Sequence, residues 1–79
     1  MELPLYSIGD QVIFKSSEQY FLGIIKECEQ SGESWAYAIP IRKTIIVVQE
    51  KEIKGRKFNL NELTTCEEKK LIEEKIVLD

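Results

Sequence analysis

Fifteen residues, Ser34 to Val48, admit few folds: they read S-W-A-Y-A-I-P-I-R-K-T-I-I-V-V. Large apolar side chains stand at Trp35, Tyr37, Ile39 and Ile41, and small or polar ones at Ala36, Ala38, Pro40 and Arg42. A period of two is the period of a strand, here with one bulky face and one thin one. Arg42-Lys43 interrupts the run, and Thr44 to Val48 is a second, β-branched strand. A lone hairpin is marginal in water, so the rest of the chain must cover its bulky face. Trp35 falls on that face, and Trp35→Ala is expected to cost ~3–5 kcal/mol if the ring is buried.

The remaining elements follow in order. Leu3-Pro4-Leu5-Tyr6 is an extended lead-in, because Pro4 pushes Leu3 away from helical conformations. Ser7 to Asp10 is a turn, and Gln11 to Lys15 a strand with Val12 and Phe14 on one face and Gln11, Ile13 and Lys15 on the other. After the polar loop Ser16-Ser17-Glu18, a longer strand runs from Gln19 to Glu29. Tyr20, Leu22 and Ile24 share one of its faces, and Phe21, Gly23 and Ile25 the other. A glycine inside a strand marks a bulge, a bend or a close backbone approach, and Gly23 is read as a bend. Gln30 to Glu33 is a turn. Beyond the hairpin, Ile53 begins a short fifth strand, Lys54 to Lys57 is a basic turn, and Phe58 and Leu60 are apolar anchors.

Residues 61–79 change character. Thr65-Cys66-Glu67-Glu68 matches a capping box, in which the Thr65 hydroxyl caps the Glu68 N–H and the Glu68 side chain reaches back. Thr64 with Glu67 offers the same box one residue earlier. A helix from there to about Leu78 gathers Leu71, Ile72, Ile76 and Leu78 on one face. Lys75 to Leu78 also fits a strand. Such a helix is too short to stand alone and must pack on something. Its own domain is the expected cover, plugging an open end, so a monomer is expected. A homodimer through the tail is the alternative.

This order of elements resembles an SH3-like small barrel of the Tudor or KOW kind. The residues that carry the resemblance are Gly9-Asp10-x-Val12, Gly23-Ile24, Trp35-x-Tyr37-x-Ile39, Val47-Val48 and the closure Glu50-x-x-Ile53. It covers about residues 5–60. It implies a mainly β protein: a five-stranded SH3-like barrel over residues 1–60, with a C-terminal α-helix in the tail 61–79 packed on it. A Tudor-like barrel further implies an aromatic groove or cage able to hold a methylated ammonium or a partner's side chain. Tyr20, Phe21, Trp35 and Tyr37 are the candidates. The turn Arg42-Lys43 departs from that pattern, since two cations repel a cationic guest. The simpler use of Trp35 and Tyr37 is to fill the core beside Ile39. KOW-like barrels bind RNA or ribosomal partners, and Lys51, Lys54, Arg56 and Lys57, with Arg42 and Lys43, form a candidate basic end for that purpose.

Composition narrows the functions. The 79 residues include no histidine, which removes the commonest general base near neutral pH. The four glycines are scattered, so no phosphate loop is present. The carboxylates occur in surface runs such as Glu67/Glu68 and Glu73/Glu74. No catalytic residue, metal site or cofactor is expected. A net charge of −3 disfavours nonspecific binding to nucleic acid. The excess acid lies in the tail: residues 1–60 balance eight basic against eight acidic side chains, while 61–79 carry three and six. No apolar run reaches bilayer length and the N-terminus lacks a basic leader segment, so the expected compartment is the cytoplasm. Cys28 and Cys66 are then reduced, and are read as small buried apolar residues. The expected role is a non-catalytic accessory module that binds another protein through Tyr20, Phe21, Trp35, Tyr37, Arg42 and Lys43. An RNA-binding module is the alternative.

Overall fold

The computed structural model describes residues 3–57, 59–62 and 64–78, with only the backbone of Leu78. The chain is mainly β, with two sheets and one C-terminal helix. Its strands are β1 (Gln11–Ser16), β2 (Gln19–Ile24), β3 (Glu27–Ser31), β4 (Ser34–Ile41), β5 (Thr44–Gln49), β6 (Ile53–Arg56), β7 (Asn59–Leu60) and β8 (Val77–Leu78). Helix α1 spans Cys66–Lys75. One sheet has the order β7-β6-β1-β2-β8 and the other β3-β4-β5. The expected count of five strands is therefore too low. The difference lies in the division of the long second strand and in two-residue strands too short to leave a sequence pattern. Among the described residues, pairing yields two separate sheets and no closed ring.

Tight turns build the hairpins. Ser17 and Glu18 both have positive φ, 49° and 65°, between β1 and β2. That backbone twist suits a two-residue hairpin, although Asn-Gly is the usual occupant. Gly32 turns β3 into β4 at φ 65°, and Arg42 turns β4 into β5 at φ 56°.

The chain changes sheets just after β2. The Ile25 N–H still donates to Asp10 O at 3.0 Å, beside β1, while the Lys26 N–H donates to Ala38 O at 2.9 Å, on β4. The bend thus lies two residues beyond Gly23. Gly23 itself sits in regular register opposite Val12. Its requirement is space: a Cβ there meets Ile39 Cγ2 at 2.5 Å and Ile41 Cδ1 at 2.8 Å, side chains of the facing sheet. Gly23→Val is expected to overpack this contact and cost ~1–3 kcal/mol, read from a urea titration. An unchanged midpoint contradicts the close approach.

Alternation along β1 and β2 divides the interior into two cores. Val12, Phe14, Ile25, Tyr37, Ile39, Ile41, Val48 and Ile53 are buried between the sheets, and Tyr6 of the lead-in joins them. Ile13 and Tyr20, on the opposite face of the same hairpin, pack with Ile72 of α1, flanked by Leu22, Leu60 and Ile76. The tail therefore forms a third layer over the outer face of the first sheet rather than plugging an end. The Thr65 hydroxyl caps the helix by accepting from the Glu68 N–H at 3.1 Å. The Glu68 carboxylate is used elsewhere: it accepts from the Tyr20 hydroxyl at 3.0 Å and lies 3.4 Å from Lys54 Nζ.

Both readings of Lys75–Leu78 hold in part, because the helix stops at Lys75 and Val77–Leu78 pairs parallel with Phe21–Leu22 of β2. The expected apolar stripe is narrower than four residues. Ile72 is buried, Ile76 half-buried beyond the helix end, and Leu71 41% exposed. The side chain of Leu78 and the anchor Phe58 lie outside the described residues. Cys28 is half-buried against the inter-sheet core, whereas Cys66, at the exposed start of α1, is not the buried residue expected; both are free thiols. Burial, and then Glu50, push the Cys28 thiol up from its ordinary value.

Candidate binding site

The four candidate rings form no common cage: alternation puts Tyr20 on the opposite face of β2 from Phe21, while Phe21, Trp35 and Tyr37 belong to or pack on the inter-sheet core. Tyr37 is fully buried between the sheets, with its ring edge-on to Tyr6 at 5.8 Å. Its hydroxyl donates to Glu50 Oε1 at 2.8 Å and accepts from the Tyr6 N–H at 3.4 Å. Burial, and then the Glu50 hydrogen bond, hold that phenol far above its ordinary range. Tyr20 is buried on the other side of the first sheet, under α1, with the Lys15 ammonium 5.6 Å from its ring centre. Trp35 is half-buried at the start of β4 and packs on the inter-sheet core. Among these residues no open aromatic cage forms.

Phe21, Arg42 and Lys43 do come together. They line a hollow of about 510 Å³ between the β4–β5 turn and the β2–β8 pair, with Gln19, Ile41, Thr44, Ile46 and Val77. The volume lies within the ordinary range for ligand pockets. The inward face of β2 supplies Phe21, whose ring stacks on Phe14 with centroids 5.6 Å apart. Val77 stands opposite Phe21 in the parallel β2–β8 pair. Ile41 ends β4, and Ile46 reaches the hollow from β5. These four side chains make an apolar floor. Arg42, Lys43, Gln19 and Thr44 add two cations and two hydrogen-bonding groups to the lining. Such a lining matches an apolar side chain with an adjacent carboxylate, because each half of that ligand meets its complement. Ile46 was legible in the β-branched run, but Val77 was not assignable to the site before the tail's path was known.

Of the basic-end candidates, Lys54 and Arg56 are paired with carboxylates of the chain. Lys54 pairs with Glu68 at 3.4 Å, and Arg56 with Asp10 at 3.1 Å. The Arg56 guanidinium also donates to Leu5 O at 3.1 Å and sits 5.1 Å from the Tyr6 ring centre. Asp10 is held below the ordinary carboxylate range, first by the Ser7 N–H that donates to it and then, against the pull of burial, by Arg56. Lys51 lies in the single 3-10 turn Glu50–Glu52 between β5 and β6, and Lys57 follows β6. The candidate basic end thus does not present four uncompensated cations.

Among the described residues, no group of three acidic, cysteine or histidine side chains gathers to hold a metal ion. None of their helices is long and apolar enough to cross a membrane. No family model, curated protein or solved structure matches the chain.

Proposed function

We propose that this chain is a small non-catalytic interaction module, an SH3-like barrel of the Tudor or KOW kind, that holds a short segment of another protein. The strand order supports the fold reading: one chain segment passes from the first sheet into the second at Ile25-Lys26, and a single 3-10 turn joins β5 to β6. The observation that carries the function is the hollow itself, with Phe21, Ile41, Ile46 and Val77 below two turn cations, Arg42 and Lys43. The segment it suits carries a bulky apolar residue next to Asp or Glu. A methylated ammonium is the wrong guest, since the flanking charges are of its own sign. The pairing of Lys54 and Arg56 with Glu68 and Asp10 weighs against RNA as the ligand.

Selection from displayed random peptides tests the reading. Peptides enriched on the full chain are expected to share an apolar residue beside an acidic one. Lys43→Glu replaces an exposed turn residue and is expected to weaken their binding about tenfold, with the melting curve unchanged. Enrichment of basic peptides, equal binding by the variant, or retention on RNA instead of peptide overturns the proposal.

A further inference from the structure

Sheet edges attract strands, because an edge presents backbone N–H and C=O groups on a side with no ladder partner. The described residues form four edges: β7 and β8 on the first sheet, β3 and β5 on the second. Three of them are protected by ordinary means. β7 and β8 are two residues long. β3 carries Glu27 and Glu29. β5 has none of these protections. It runs six residues, T-I-I-V-V-Q, without a charge, a proline or a bulge in its pairing with β4. Ile45 and Val47 project from its outer face at 53% and 67% exposure. Their neighbours across the ladder, Pro40 and Ala38, are too small to cover them.

We propose that β5 is a docking edge for a second copy of this chain, pairing antiparallel with the partner's β5 about a two-fold axis. Two features favour a copy over an unrelated strand. The first is the charge order along the strand. Arg42 and Lys43 precede β5, and Glu50-Lys51-Glu52, with a net charge of −1, follows it. Antiparallel pairing of β5 with itself sets the basic end of each copy beside the acidic end of the other, whereas parallel pairing sets like ends together. The second is the match of faces. With the axis at Ile46, Ile45 stands opposite the partner's Val47 and Val47 opposite the partner's Ile45, so both exposed residues gain apolar neighbours on one face. The result is a continuous six-strand sheet, β3-β4-β5 followed by the same three strands in reverse. A two-fold contact of this kind closes at two copies.

Sedimentation velocity on the full chain, from about 1 to 100 µM, tests this over the concentrations at which a micromolar Kd is visible. The expected result is a monomer–dimer equilibrium. The double variant Ile45→Lys/Val47→Lys is expected to be monomeric throughout, with the circular dichroism spectrum of the parent. Val47→Lys alone, at the more exposed position, gives the same readout should the double variant fail to fold. Glu29→Lys, on the opposite edge, is expected to leave the dimer intact. A parent chain that stays monomeric at the highest concentration overturns the proposal. So does a dimer that persists in the folded lysine variant, a species larger than two copies, or a dimer lost in Glu29→Lys. Oligomeric state is read here and peptide capture above, so either reading can fail without the other.

Discussion

Tyr37→Ala is expected to leave the chain largely unfolded at room temperature. The ring is fully buried in the inter-sheet core, and truncating a buried aromatic costs ~3–5 kcal/mol. A domain of this length has only about 4–12 kcal/mol in total. The substitution also removes the hydroxyl that joins Glu50 to the Tyr6 N–H, and so loosens the lead-in and the turn before β6 together. Trp35→Ala is expected to cost less than Tyr37→Ala, because Trp35 is only half-buried. Paired urea titrations followed by circular dichroism give both values. A larger loss at Trp35 than at Tyr37 contradicts the placement of the core.

Deleting residues 64–79 is the second large perturbation. It uncovers Ile13 and Tyr20, removes their partner Ile72, and takes β8 from the edge of β2. Each of these side chains loses roughly 1.5–3 kcal/mol of burial if it becomes fully exposed. The net loss is expected to be at least ~3 kcal/mol, lowering the melting midpoint by about 12–24 °C for a domain of this size. It also removes Glu68, so Tyr20 and Lys54 lose their common partner. A truncated chain that melts like the full one means that the outer face of the first sheet does not depend on the helix.

The hairpin at the centre of the fold was legible because its period is strict: Tyr37, Ile39 and Ile41 are buried, as alternation from Trp35 requires. The same rule separated Val12 and Phe14 from Ile13 before either core was known. Gly23 was recognised as special but assigned to the wrong cause. A missing side chain in a strand signals a bend and a close approach equally, and only the positions of Ile39 and Ile41 distinguish them. The path of the tail was half legible. Thr65 marked the start of α1, but Val77–Leu78 makes a two-residue strand by pairing with β2, a long-range choice that local sequence does not encode. Of the candidate site residues, Phe21, Arg42 and Lys43 line one hollow. Tyr20 parts from Phe21 because neighbours on a strand point to opposite faces, while Trp35 and Tyr37, two residues apart on one face, go to the inter-sheet core as their simpler use required.

The most direct test of the account is an amide chemical-shift titration of the isotope-labelled full chain with the most enriched peptide from the selection. The account predicts that the largest shifts fall on Phe21, Ile41 to Thr44, Ile46 and Val77, and that Lys43→Glu reduces them several-fold at the same sub-saturating peptide concentration. The largest shifts elsewhere, for instance along Glu27 to Glu29 and Ala36 to Ala38 on the outer face of the second sheet, would contradict it.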